Sequence, residues 1–143
     1  SYFFEISQRE KSLLGVIMVD IDYFKRVNDQ FGHQTGDQVL KTTAARMQSA
    51  LRSTDVLGRY GGEEFTIVVP HAVQENVNFE AERLRVAICS IPIKEKNRLI
   101  PISISIGVAY LDSQDENLEN LINRADEALI RAKDEGRNRV IVC

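Results

Sequence analysis

Two acidic placements in this 143-residue chain are costly unless they serve a purpose. The first is Asp20, which interrupts Leu13-Leu-Gly-Val-Ile-Met-Val-Asp-Ile21 near the end of an otherwise apolar run. A carboxylate there must be paired, hydrogen-bonded, metal-bound, or used to cap the next helix. The second is Glu63-Glu64, which follows Gly61-Gly62 and precedes Phe65. Two glycines between strand-like runs read as a hairpin turn, because glycine reaches positive φ without steric cost. Turn chemistry does not ask for two acids after them. One reading is a tight turn with two solvated glutamates. The other is a rigid turn whose carboxylates hold a divalent cation beside a closely approached phosphate. Other charged residues have plain explanations too. Arg52 and Asp55 suit a surface ion pair worth little, Asp37 a favourable charge in a first helical turn, and Lys133 and Arg137 complement a helix dipole. His33 suits a loop hydrogen bond.

These residues need elements to position them. The run Leu13–Ile21 suits a strand buried on both faces. Tyr23–Phe31 reads as a short helix stopped at Gly32. Gly32-His33-Gln34-Thr35-Gly36-Asp37 reads as a polar loop feeding a long helix, in which Val39, Leu40, Thr43, Met47, Ala50 and Leu51 recur at helical spacing. A hairpin over residues 55–69 follows, closed by Pro70. Residues 73–91 form an amphipathic helix with Val77, Ala81, Leu84, Ile88 and Ile91 on one face. Lys94–Asn97 reads as a charged loop, and Ile100–Tyr110 as a half-buried strand with a period of two. A last helix carries Leu118, Leu121, Ile122, Ala125, Ala128, Leu129 and Ala132, with Gly136 placed for its C′ cap. Val140–Cys143 closes as a short strand.

Two β-α-β halves around a central hairpin predict an α+β sandwich of ferredoxin-like, polymerase-palm-like character, with helices covering an antiparallel-rich sheet. There the end of the first strand neighbours the hairpin turn, so Asp20 and Glu63 meet. Two carboxylates at close range repel, and a divalent cation is the usual remedy. Polymerase-like sites hold metal against a nucleotide triphosphate in this way.

The length predicts one domain over residues 1–143, and 43% apolar composition can build a core. A net charge of -3 suggests no wide DNA or RNA footprint. Cys89 and Cys143 lack metal-ligand spacing and point to a reducing compartment. No apolar run approaches a membrane span. The expectation is a cytoplasmic fragment without membrane contact of its own. The abrupt aromatic opening, Ser1-Tyr-Phe-Phe, predicts a start partway through a helix of a longer parent, whose membrane anchoring stays open.

With those residues placed, the chain resembles the GGDEF family, the diguanylate cyclases, in a GGEEF form of the signature. The resemblance rests on Asp20-Ile-Asp-Tyr-Phe-Lys-Arg-Val-Asn28-Asp, Gly32-His-Gln-Thr-Gly-Asp37, Gly58-Arg-Tyr-Gly-Gly-Glu-Glu-Phe65 and Ser103-Ile-Ser-Ile-Gly107. It continues through Ala125-Asp-Glu-Ala-Leu and Ala132-Lys-Asp-Glu-Gly-Arg-Asn138. It implies that Asp20, Glu63 and the Ile21 carbonyl bind Mg²⁺, with Mn²⁺ as a substitute. Glu64 lies nearby as a ligand, a base or a positioning group. Asn28 and Asp37 resemble the guanine-reading pair, and Asp37 favours GTP because adenine lacks the N1–H and N2–H₂ donors. The backbone of Phe24 and Lys25 looks like a phosphate cradle. Lys133 and Arg137 resemble phosphate-binding side chains, and His33 and Gly62 join the GTP-binding set. The implied reaction condenses two GTP into cyclic di-GMP in a homodimer. Arg52-Ser-Thr-Asp55, with Arg83, resembles a product-inhibition site for cyclic di-GMP.

Three departures stand out. The Leu-Thr-Gly-Leu-type stretch that usually precedes the domain is absent, Ile130 replaces a frequent Tyr, and Thr66 replaces an apolar residue. The rival readings are a non-catalytic cyclic di-GMP receptor and a GTP-binding regulatory module. Family members of the first kind usually lose signature residues that this chain keeps; retained Asp37 fits the second, which leaves Asp20 and Glu63 unexplained.

Overall fold

Every side chain of β1 (Leu14–Ile21) is buried, which makes this strand the axis of the fold. A computed structural model describes residues 14–112 and 115–143. The proposed first helix over residues 1–11, like Leu13, lies outside them. β2 (Val56–Arg59), β3 (Glu64–Pro70), β6 (Ile104–Tyr110) and β7 (Val140–Val142) complete a five-stranded sheet in the order β2-β3-β1-β6-β7. The pairs are antiparallel except β6–β7, which is parallel. Four helices cover this mixed sheet, α1 (Phe24–Phe31), α2 (His33–Ala50), α3 (Gln74–Cys89) and α4 (Leu118–Asp134). The result is the expected palm-like α+β sandwich.

Strand pleating divides the core in two. Ile17, Val19 and Ile21 pack with α1, α2 and α3, alongside Phe65, Ile67, Val69, Ile106 and Val108. Leu14, Val16 and Met18 pack instead with Leu121, Ala125 and Leu129 of α4. Asp20 shares the parity of that second set, so it faces α4. The pleat of β1 therefore decides which helix can neutralise the carboxylate.

β6 corrects the sequence reading. It is shorter than predicted, 104–110 rather than 100–110, and all seven residues are buried instead of half of them. The alternation there is large against small, not inside against outside. Ser105, Gly107 and Ala109 form a shallow seat on which α4 lies. A Cβ added at Gly107 would fall 2.1 Å from the Ala125 carbonyl oxygen and 2.3 Å from the Leu129 nitrogen.

Other boundaries also move. The charged loop at Lys94–Asn97 is a hairpin of β4 (Ile93–Glu95) and β5 (Arg98–Ile100), with Lys96 and Asn97 at positive φ in its turn. The polar loop Gly32–Asp37 shrinks to Gly32 alone, with φ 91°, because α2 begins at His33. Asp37 thus lies beyond the first turn. α3 stops at Cys89, which leaves Ile91 64% exposed rather than on the apolar face. Gly136, at φ 125°, follows α4 as predicted. Among the described residues, no helix is long and apolar enough to cross a membrane.

Candidate active site

At the end of β1 Asp20 is only 4% exposed. Its Oδ2 is ion-paired with Nζ of Lys133 on α4, while Oδ1 has no hydrogen-bond partner. Burial raises the Asp20 pKa; Lys133 opposes the rise, and Glu63 and Asp22 add to it. Lys133 is the mirror case: burial works against its ammonium, but Asp20 and the two glutamates carry its pKa upward. The capping role considered for Asp20 is not found, since Tyr23 is the N-cap of α1 and no side chain caps that end.

The β1–β3 register sets Asp20 opposite Glu64, and the Ile21 amide donates to the Glu63 carbonyl at 3.3 Å. This brings the hairpin turn to the end of β1 as expected. The turn is closed by the amides of Tyr60 and Gly61, both donating to the Glu64 carbonyl, and by Arg59, whose guanidinium reaches the carbonyls of Gly61 and Gly62. Neither glycine takes positive φ, contrary to the sequence reading. Open space does appear: a Cβ at Gly62 would meet nothing within 4 Å. Glu64 is half-buried, and burial, followed by Asp20 and Asp126, raises its pKa.

These groups frame a cavity of about 410 Å³ that includes Asp20, Ile21, Phe24, Lys25, Glu63, Lys133 and Arg137, all sequence candidates. The volume falls in the range of small-molecule sites. A larger groove of about 690 Å³ between α2 and α3 contains none of the candidates. Convergent carboxylates and cations, not size, single out the smaller cavity. At its floor, α1 hydrogen bonding begins with the Tyr23 carbonyl accepting from Arg26 and Val27, so the amides of Phe24 and Lys25 stand at the free helix end. Arg137 lies past the end of α4, at φ 63°, rather than on the helix with Lys133.

Among the described residues no group of three or more His, Cys, Asp or Glu is gathered as a metal-binding cluster. Two carboxylates and a backbone carbonyl remain, a sparse donor set that fits Mg²⁺ sharing its shell with phosphate oxygens and water. The buried, unpartnered Asp20 Oδ1 fits the same role.

Asn28, His33 and Asp37 stand apart from this cavity at the α1–α2 junction. Asn28 packs so closely on Gly36 that a Cβ there would lie 1.8 Å from its Oδ1. Gly36 immediately precedes Asp37, which is exposed.

Around the second candidate site, Asp55 is buried and accepts a hydrogen bond from the Arg52 backbone amide at 2.9 Å. The side-chain ion pair considered for Arg52 and Asp55 is replaced by this turn-closing contact. Arg83 donates to the Ala50 carbonyl at the end of α2. Sequence reasoning missed Glu80, which is 3% exposed and has neither oxygen hydrogen-bonded. Its pKa is pushed up to about 7, by burial and then by Asp55, against the pull of Arg52 and Arg83. Burial beside a second carboxyl thus favours the protonated form of Glu80. The available signal was an acid at position 80 between Val77 and Leu84 on the apolar face of the helix.

Asp22 and Tyr23 were also missed, although both line the main cavity. Asp22 accepts hydrogen bonds from Ser103 (2.6 Å), Ser105 (2.5 Å) and the Asn138 amide (3.0 Å), so the chain itself satisfies it.

Comparison with known proteins points the same way. The family described as "Diguanylate cyclase, GGDEF domain" matches residues 3–139. Diguanylate cyclase A of Treponema denticola is 37% identical over 139 residues, an alignment covering 97% of this chain and 38% of that protein. The chain thus spans well under half of that relative's length. Two solved structures superpose closely. The active GGEEF domain of a diguanylate cyclase from Vibrio cholerae has a TM-score of 0.90 and 37% identity, over 99% of this chain and 91% of that one. The coiled coil and GGDEF domain of DgcB from Caulobacter crescentus, in complex with c-di-GMP, has a TM-score of 0.93 and 30% identity, over 99% and 75%.

Proposed function

The chain belongs to the family of diguanylate cyclase GGDEF domains, and from that membership we propose that it condenses two GTP molecules into cyclic di-GMP with release of two pyrophosphates. The observation that carries this reading is the buried Asp20 carboxylate, one oxygen on Lys133 and the other unpartnered, beside Glu63 in a cavity rimmed by cations. Asp20, Glu63 and the Ile21 carbonyl would hold Mg²⁺, or Mn²⁺ in its place. Bound there, the metal would supply positive charge to offset that on the transferring phosphoryl group and would make the attacking hydroxyl easier to deprotonate.

The chain's own residues do the rest. Asp37 and Asn28 read the guanine edge, with His33 and Gly62 beside the nucleotide. The Phe24 and Lys25 amides and the side chains of Lys133 and Arg137 hold the β- and γ-phosphates. The 3′-oxygen of one GTP bonds to the α-phosphorus of the other, the bond to the β-phosphate bridge breaks, and pyrophosphate leaves. The hydroxyl proton goes to a base. Glu64, half-buried opposite Asp20, is the carboxylate proposed for that role.

One such cavity holds one GTP, so the active species is a two-fold dimer with facing sites. Cyclic di-GMP feeds back through Arg52, Asp55 and Arg83, where arginines suit phosphate and guanine contacts and Asp55 is held in place to accept a guanine edge. The domain works in the cytoplasm, where GTP is supplied.

The deciding experiment measures GTP turnover with Mg²⁺ at several protein concentrations, beside Glu63→Ala and Arg52→Ala. Product rising more than linearly with protein and lost in Glu63→Ala supports the dimeric cyclase; turnover per molecule independent of concentration counts against the dimer. Unchanged product inhibition in Arg52→Ala refutes the second site. Cyclic di-GMP binding without turnover, even under enforced dimerisation, makes the domain a receptor.

A further inference from the structure

Tyr23 stands between Asp22 and the first turn of α1 in the left-handed region, at φ 56°. Aromatic residues rarely adopt that conformation unless their surroundings hold them there. Its ring is 47% exposed, yet it carries two guanidiniums: Arg26 Cζ lies 4.1 Å from the ring centroid and Arg137 Cζ 4.6 Å. All three side chains line the cavity that holds Asp20.

The backbone on both sides is fixed. The Tyr23 carbonyl accepts from Arg26 and Val27. The Arg137 amide donates to Ala132 at 2.9 Å, and the next amide, of Asn138, to the Asp22 carboxylate at 3.0 Å. Among the described residues, no carboxylate lies within ion-pair distance of Arg26 or Arg137. Two like charges gathered on one ring, at the rim of a cavity of about 410 Å³, repel one another until an anion joins them.

We propose that Tyr23 is a positioning residue for the nucleotide's terminal phosphates, its ring holding Arg137 and Arg26 at the rim of the cavity. This rests on the GTP-binding reading above. The ring presets the rotamers of two long side chains, so less freedom is lost when phosphate arrives.

Calorimetric titration tests it, with magnesium pyrophosphate and GMP as probes for wild type, Tyr23→Phe, Tyr23→Leu, and Tyr23→Leu in an Arg26→Ala/Arg137→Ala background. Tyr23→Leu is expected to weaken pyrophosphate about three- to tenfold and Tyr23→Phe less than about twofold. GMP affinity stays at the wild-type level, and Tyr23→Leu costs nothing further once both arginines are gone. Thermal midpoints remain unchanged because the ring is half exposed. Equal pyrophosphate affinity in Tyr23→Leu and wild type overturns the proposal, as does an equal loss for GMP. Wild-type protein that binds neither GMP nor pyrophosphate overturns the nucleotide reading itself, and this proposal with it.

Discussion

Replacing Gly107 with alanine tests whether the seat of α4 on β6 sets the geometry of the site. The new Cβ would fall 2.1 Å from the Ala125 carbonyl oxygen, about 1.3 Å short of the 3.4 Å at which ordinary contact begins. The obstructing atoms belong to helix backbone, so no side chain can swing away. The helix must lift by roughly 1 Å, in an interior packed too densely to absorb the movement. Overpacking of this kind costs about 1–3 kcal/mol, and a backbone clash places Gly107→Ala near the upper end. For a chain of this size that corresponds to a fall of roughly 10 °C in thermal midpoint. Lys133 lies one turn beyond Leu129, so the same lift draws its ammonium from Asp20. A misplacement of about 1 Å in a positioning group can cost roughly 100-fold in turnover. Gly15→Ala is the matched control, because its Cβ would meet Ala72 Cβ at 3.4 Å, an ordinary contact. Thermal melts and GTP turnover, assayed well below both midpoints, give the answer. If Gly107→Ala melts and turns over like Gly15→Ala, the close-packing argument is wrong.

Three further outcomes are expected. Glu80 holds its proton more tightly folded than unfolded, so its contribution to stability is full below about pH 4.5 and is lost as pH rises through about 7. Glu80→Gln should flatten that part of the urea stability profile, and an unchanged slope would refute the Glu80–Asp55 pairing. Asp22→Asn leaves one oxygen for three donors and should cost about 1–3 kcal/mol in urea denaturation; an unchanged midpoint would show that the Asn138 bend holds without it. Chelation should stop nucleotide turnover yet barely move the thermal midpoint, because Lys133 already meets the charge of Asp20. A large drop would mean that the fold depends on the metal.

The sequence is most legible where residue type leaves little choice. A carboxylate at the end of a fully apolar strand had to meet a partner, and Asp20 meets Lys133 beside Glu63. Periodicity failed where side-chain size and exposure diverge. Ser105, Gly107 and Ala109 look like an outer face by polarity, but their small volume seats a helix. Three-residue strands such as Ile93–Glu95 are too short to show a period, so the β4–β5 hairpin reads as a charged loop. Gly36 and its polar neighbours suggested a loop, whereas tertiary contact of α2 with Asn28 keeps them helical. Glu80 and Tyr23 were missed because Asp55 and Arg137, which complete their surroundings, are remote in sequence, although an acid on the apolar face of α3 marked Glu80.

The Lys133–Asp20 contact turns cation binding into an exchange. A divalent ion that takes the unpartnered Oδ1 of Asp20 sits beside the Lys133 ammonium on Oδ2, and the two cations repel, so metal alone gains little there. That ammonium, however, sits at the end of a long flexible stem beside the cavity proposed for phosphate, where nucleotide would offer it a new anion. On the proposed reading, metal and nucleotide help one another to bind through a single side chain that changes allegiance. Neither should saturate the site alone as readily as the two together.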